Sequence, residues 1–216
     1  MADFVLYHGN KNYSSWSMRA WLALRQAGAS FDEVAFHLGD PDVRDAIGAH
    51  VPSRKVPALR HGELLVWDSL AITEYLAECF PEAGLWPAGS SDRARARSVA
   101  AEMHSGFPAL RAHMPFNVRR SSPGRGRAPG VDTDVDRICA VWSECRGAAV
   151  DGDFLFGAWT AADMFYAPVA TRFRTYSVEL DAVCGAYYDA VLAHPHVREW
   201  LEAAAAEDWV EAEFDL

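Results

Sequence analysis

The sequence predicts a small α/β domain joined to an all-helical domain. Three observations carry this. Through residues 1–82, apolar runs of strand length alternate with stretches of helical periodicity. A stretch rich in proline and glycine, residues 81–91, then breaks the pattern as a linker. In residues 92–216 every periodic segment is helical and none reads as a strand.

The elements follow in order. Residues 4–8 form a strand by their apolar run. Residues 17–27 form a helix stopped by Gly28, where a left-handed C-cap is expected. Residues 31–36 read as a second strand, which the crossover rule makes parallel to the first. Asp40-Pro41, a cap followed by a first-turn residue, opens a short helix over residues 40–49. Residues 58–61 and 63–67 make a hairpin around Gly62. Ile72, Tyr75, Leu76 and Cys79 fall at i, i+3, i+4 and i+7 of an amphipathic helix. Beyond the linker, residues 93–118, 133–150, 160–176, 180–193 and 195–207 are helical by periodicity. Residues 119–130 are too rich in Gly and Pro for a helix and read as a mobile loop.

Composition narrows the function. A chain of 216 residues, 50% of them hydrophobic, can bury a packed core, and eight tryptophans fit a mostly helical enzyme with a large interior. A net charge of −10 argues against a nucleic-acid partner. Cys79, Cys139, Cys145 and Cys184 form no CxxC pair and no dense cluster, so neither a redox pair nor a metal site is expected. They read as reduced thiols of a cytoplasmic protein. The N-terminus enters a strand without the pattern of a signal peptide, and no apolar run approaches membrane-spanning length.

Three short motifs carry chemistry. The block Tyr13-Ser14-Ser15-Trp16-Ser17-Met18-Arg19 puts hydroxyls and free amides at the start of the first helix. Unpaired N–H donors and the positive end of the dipole suit an anion or a thiolate there, although such a serine also serves as a plain N-cap. Val56-Pro57 precedes the third strand, where proline costs no ladder bond; a simple turn is the competing reading. Asp68-Ser69 opens the next helix. It caps that helix and also offers a carboxylate to an ammonium and a hydroxyl to a carboxylate, a pairing that suits an α-amino acid head group.

In this order, ahead of a helical second domain, these motifs resemble the glutathione transferase superfamily over essentially the full chain. The serine block is most similar to that of the zeta and related bacterial classes, with Trp16 where the zeta motif has a cysteine. The resemblance implies a thioredoxin-like first domain with a cis-proline at Pro57, glutathione as co-substrate, and a homodimer. It implies that Ser14 hydrogen-bonds the glutathione sulfur, with Ser15 beside it in reserve. The Val56 backbone would clamp the cysteinyl unit, Asp68 and Ser69 the γ-glutamyl head, and Lys55 the glycyl carboxylate, with Arg54 as a second candidate.

The second domain adds Thr160-Ala161-Ala162-Asp163, a capping box with Trp159 and Met164 placed as its hydrophobic staple. The superfamily has such a box at the start of a core helix, so Asp163 reads as structural. The electrophile pocket is expected beside the domain's first helix, where Met103, Phe107, Arg111 and Met114 share a face at spacings of four, four and three. A core stripe is the competing reading, but a charge such as Arg111 is rarely buried without a partner. His104 reads as a structural histidine.

A free thiol titrates at about 8.5, and a helix start with a hydroxyl donor lowers that value. Each unit corresponds to about 1.4 kcal/mol in favour of the thiolate. The expected activity is therefore conjugation of glutathione to small apolar electrophiles. Peroxide reduction and isomerisation of a maleylacetoacetate-type diacid need the same thiolate, and Arg111, Arg119 and Arg120 suit an anionic substrate. A protein-thiolate disulfide reductase is not expected, since no cysteine replaces Ser14. From another class, a non-enzymatic binding module of the same fold is the rival. In the dimer, Arg93, Arg95 and Arg97 are expected to meet the other subunit's equivalents of Glu74 and Glu78.

Overall fold

A computed structural model describes residues 3–149 and 151–211. The helix end expected at residue 150, residues 1–2 of the first domain and residues 212–216 of the second lie outside the described residues. The first part of the chain runs β1 (Phe4–Gly9), α1 (Ser15–Ala27), β2 (Phe31–Phe36), α2 (Val43–Gly48), β3 (Ala58–His61), β4 (Leu64–Trp67) and α3 (Ser69–Cys79). The sheet order is β2-β1-β3-β4. β1 lies parallel to β2, with Phe4 opposite Phe31, and antiparallel to β3, with Phe4 opposite His61. As a central strand covered on both faces, β1 needs the unbroken apolar run that its sequence shows. The architecture is a thioredoxin-like sheet domain followed by helices.

A short 3₁₀ turn, Pro81–Ala83, leads to α4 (Ser90–Ser105), α5 (Pro108–His113), α6 (Val131–Ala148), α7 (Ala161–Tyr176), α8 (Ala182–Ala193) and α9 (Pro195–Ala205). One hydrophobic core passes from Phe4 and Leu6 of β1, through Met18 and Leu22 of α1 and Ile72 of α3, into Met103, Phe165 and Trp200 of the later helices. A small second cluster, Tyr7, Ile47, Val51 and Ala58, closes the face toward α2. Gly28 ends α1 at φ 66°, which glycine adopts without strain. The capping box of α7 is formed in full, with Thr160 and Asp163 bonded in both directions.

Several boundaries differ from the sequence reading. α1 begins at Ser15 because Ser14 is its N-cap and accepts from the Ser17 amide. The helix expected over residues 93–118 is two helices. Gly106 is extended, Phe107 turns left-handed at φ 62°, and Pro108 opens α5. Proline cannot continue a helix but suits a first turn. Arg111 fills the break, donating to the carbonyls of Gly106 and Met103. Met103, Phe107, Arg111 and Met114 therefore do not form a single helical face. Met103 and Met114 are fully buried, and Phe107 nearly so.

Residues 119–130 lack regular structure, and Ser122 and Gly124 donate to the carbonyls of Thr175 and Tyr176 at the end of α7. One further expectation is corrected. The three arginines of α4 are engaged within the chain. Arg97 forms a double hydrogen bond to Glu74 at 3.0 and 3.0 Å, Arg95 lies 3.6 Å from Glu144, and Arg93 donates to the carbonyls of Pro87 and Ala88. Arg97 and Glu74 stand close across α4 and α3 of one subunit, so no second subunit is needed to pair them.

Candidate functional site

A cavity of about 760 Å³ opens at the C-terminal end of β1. Its lining includes Ser14 and Trp16 from the start of α1, Leu38, Val43, Arg44 and Ile47 from the α2 region, residues 53–57, and Trp67, Asp68 and Ser69. Ser14, Lys55, Val56, Asp68 and Ser69 thus meet at one cavity although they are far apart in sequence. Ser15, Met103, Phe107, Arg111 and Met114 are not among its lining residues.

Ser14 is almost fully buried, and its Oγ lies 2.7 Å from the Ser17 Oγ. Ser17 in turn accepts from the Gly9 amide at 3.0 Å. Two hydroxyls and the helix start therefore form a short relay that ends at the cavity. Ser15 faces the other way, and its Oγ accepts from Arg172 at 3.3 Å.

On the opposite wall, the Val56–Pro57 bond is cis. Asp68, at φ 79°, uses Oδ1 to cap α3 through the amides of Leu70 and Ala71. Its Oδ2 lies 3.2 Å from Nε2 of His104. His104 thus links the two domains, and burial holds its pKa below the usual imidazole value. The Ser69 Oγ is buried and has no hydrogen-bond partner among the described residues. It lies at the N-terminus of α3, an anion-favouring position. Lys55 is exposed at the rim. Arg54 pairs with Asp45 at 2.9 Å.

Behind Trp16 lies an arginine cluster. Arg19 is fully buried, and its three guanidinium nitrogens have no hydrogen-bond partner among the described residues. It stacks on Trp16 at 4.6 Å and on Phe165 at 4.8 Å. Arg111 stacks on the same indole at 4.9 Å. Arg172, also buried, donates to the Met114 carbonyl at 2.8 Å. Burial, with mutual repulsion second, pushes the pKa of Arg19 well down and that of Arg172 down to about 9. A buried cation is ordinarily paired. This cluster therefore has unspent capacity for an anion.

Sequence reasoning missed Arg19, Arg172 and the hydroxyl partner role of Ser17. The signal for Arg172 is a charge just after the apolar run of residues 164–170 in α7. For Ser17 it is the spacing of three from Ser14, which places it above the N-cap in the first turn.

These features define the class. Residues 13–79 match the family profile described as the glutathione S-transferase N-terminal domain, and residues 93–203 match the C-terminal domain of the same family. The chain belongs to the glutathione S-transferase family. Among its relatives is a maleylpyruvate isomerase of Ralstonia sp, 30% identical over 81% of this chain and 92% of that protein. A maleylacetoacetate isomerase of Dictyostelium discoideum is 35% identical over 44% of each chain. Among solved structures, the holo structure of a bacterial zeta-class maleylpyruvate isomerase superposes with a TM-score of 0.73 and 25% identity, over 95% of this chain and all of that one. A Burkholderia glutathione transferase homologue with bound glutathione shares the fold, with a TM-score of 0.73 over 95% of this chain and 99% of that one at 22% identity. No helix among the described residues is long and apolar enough to cross a membrane.

Proposed function

We propose that this chain is a cytoplasmic glutathione-dependent enzyme that directs the glutathione thiolate at a small electrophile bearing carboxylates. Cis–trans isomerisation of an unsaturated diacid of the maleylpyruvate type is the reaction it fits best. The observation that carries this reading is Arg19, a fully buried guanidinium without a hydrogen-bond partner among the described residues. Arg111 and Arg172 beside it raise the local positive potential further. An apolar electrophile gives this cluster nothing to pair with, whereas a carboxylate offsets its burial. The similarity to maleylpyruvate isomerases supports the same reading.

The residues have distinct roles in this proposal. Asp68 meets the γ-glutamyl ammonium, while Ser69 and the α3 amides meet the neighbouring carboxylate. The Val56 backbone aligns the cysteinyl unit, and Lys55 faces the glycyl carboxylate at the rim. Ser14 donates a hydrogen bond from its hydroxyl to the sulfur, which remains a thiolate. The hydroxyl rotors then turn together, so that Ser17 donates to Ser14 while still accepting from Gly9, and each bond strengthens the next. Thiolate attack on the carbon–carbon double bond forms a C–S bond and moves the π pair to the conjugated carbonyl oxygen. The former double bond rotates as a single bond. Return of the electron pair then expels the thiolate and leaves the trans isomer. The arginines lie behind Trp16 rather than on the cavity wall, and from there their positive field favours a bound carboxylate and the developing oxyanion.

Conjugation to apolar electrophiles and peroxide reduction use the same thiolate, and a non-enzymatic binding module would use none. A screen with glutathione and three substrates (a maleylpyruvate-type diacid, an aryl halide and cumene hydroperoxide) separates them. Turnover led by the diacid and lost in Arg19→Met supports the proposal. Turnover led by the aryl halide and indifferent to Arg19 refutes the anionic substrate. A protein that neither binds glutathione nor turns over any of the three is a binding module.

A homodimer is part of the proposal. Leu64 and Trp67 lie on the edge strand β4 and are both 48% exposed, and Trp67 lines the cavity. An apolar edge of this kind calls for cover.

A further inference from the structure

We infer that residues 206–211, the last described segment of the chain, form part of the thiol-activating site, and that Glu207 and Glu211 position the turn that carries Ser14. The inference rests on the assignment of Ser14 as the thiolate's partner.

The segment lies against residues 10–13, the turn between β1 and α1. Glu207 accepts from the amide of Lys11 through Oε1 at 2.9 Å and from the amide of Asn12 through Oε2 at 3.1 Å. One carboxylate thereby holds two successive amides of the turn, a charge-assisted arrangement stronger than two neutral bonds. Glu211, itself buried, accepts through Oε1 from the side chain of Asn10 and from the amide of Gly39, both at 2.8 Å. Its own amide donates to the Tyr13 hydroxyl at 3.1 Å. Arg119 fastens the segment in place, donating to the carbonyls of Glu207 and Trp209.

The connection to Ser14 is one residue long. The Asn10 carbonyl accepts from the Ser14 amide at 2.9 Å, and the Asn10 Oδ1 accepts from the Leu38 amide at 2.8 Å. Glu211 therefore holds Asn10 while Asn10 holds Ser14. Through Asn10 and Gly39, the same carboxylate fixes both ends of the wall on which Leu38 lines the cavity. A serine that must meet a sulfur within hydrogen-bond distance tolerates little drift, so the turn's position enters the thiol pKa directly. Glu207 and Glu211 touch neither thiol nor electrophile. They are positioning residues that act from the far end of the chain.

The test uses the full chain with Glu207→Ala, Glu211→Ala and Glu211→Gln. Amide exchange is followed at Ser14, whose bond runs to Asn10 and not to the tail. The bound-thiol titration is followed by thiolate absorbance with glutathione. Each alanine variant is expected to speed Ser14 exchange about tenfold and to raise the thiol midpoint by about half a unit or more. Glu211→Gln keeps an acceptor oxygen and is expected to restore both. If the Lys11 and Asn12 amides lose protection while Ser14 exchange stays at the wild-type rate, the tail is only a clasp and the inference is overturned. If wild-type protein shows no thiolate signal, the Ser14 assignment fails, and Ser14 exchange still decides whether the tail holds the turn.

Discussion

The Arg19 guanidinium lies 4.6 Å from the Trp16 ring centroid, held by aromatic faces instead of a carboxylate. A desolvated cation–π contact is worth about 2 kcal/mol, while burying an ion costs several kcal/mol. The aromatic cage therefore offsets only part of the cost of keeping that charge in the interior. A residue that weakens the fold in this way is intelligible where its charge serves a ligand.

Arg19→Met separates these two effects because they have opposite signs. A thioether of similar length removes the uncompensated charge and is expected to stabilise the fold by about 1–4 kcal/mol. The same change is expected to lower kcat/KM for an unsaturated diacid by about 100-fold or more. Thermal unfolding and steady-state assays on one preparation read both. A loss of activity accompanied by a loss of stability would make Arg19 a structural residue.

The serine relay predicts a graded series. Ser14→Ala is expected to raise the bound-thiol pKa by about one unit and to cut turnover about tenfold or more, with glutathione binding largely kept. Ser17→Ala is expected to have a smaller effect in the same direction, because it removes only the group behind Ser14. Ser15, tied to Arg172, is expected to alter substrate KM more than the thiol pKa. A larger pKa rise in Ser15→Ala than in Ser14→Ala would move the assignment by one residue.

Glu33 gives a pH prediction with a definite sign. Burial alone would raise its pKa, but hydrogen bonds from His8 and Lys11 outweigh that and hold it at about 2, below the ordinary value of 4.5. Its Oε2 lies 3.0 Å from His8 Nε2 and 2.7 Å from the Lys11 ammonium. A depressed carboxyl stabilises the fold above its unfolded pKa, and that contribution is lost as pH falls through the folded value. Glu33→Gln is therefore expected to be less stable than the parent at pH 7, with the two denaturation curves converging between about pH 4.5 and pH 2. A stability gap that does not change over that interval would remove Glu33 from the account.

Light scattering is expected to give a mass near twice the 23.8 kDa of the chain. The value is expected to hold as salt rises, because Arg93, Arg95 and Arg97 are already engaged within one subunit. Leu64→Glu on the exposed edge of β4 is expected to shift the mass toward monomer. A wild-type monomer at micromolar concentration would exclude the dimer, and a dimer dissolved by salt would return the contact to charged side chains.

Much of the fold was legible because local rules and tertiary demands agree. The apolar run of β1 belongs to a central strand, Gly28 takes the left-handed cap, and Thr160 with Asp163 closes the box at the start of α7. The break between α4 and α5 was masked by the regular spacing of Met103, Phe107, Arg111 and Met114. Pro108 was the contrary sign, and its local rule won over the periodicity. At the cavity, Ser14, Val56 and Asp68 were each ambiguous alone, since a cap or a turn uses the same residues; their order along the chain and the family it resembles singled them out, and all three line one cavity. Arg19 and Arg172 were not. A charge inside a helix reveals its purpose only when other helices bring further arginines beside it, and no sequence spacing records that distance.

The burial of α1 has a consequence for how the chain holds together. From Ser17 to Leu24 every residue of that helix is buried, and Trp21 packs on Trp200 at 5.5 Å. The helix belongs by sequence to the first half and by contact to both. A protease cut in the stretch around residues 81–91 would therefore leave two fragments with complementary apolar faces, which remain associated until denaturant parts them. The two halves that family profiles recognise separately are expected to melt in a single transition, which calorimetry reads directly.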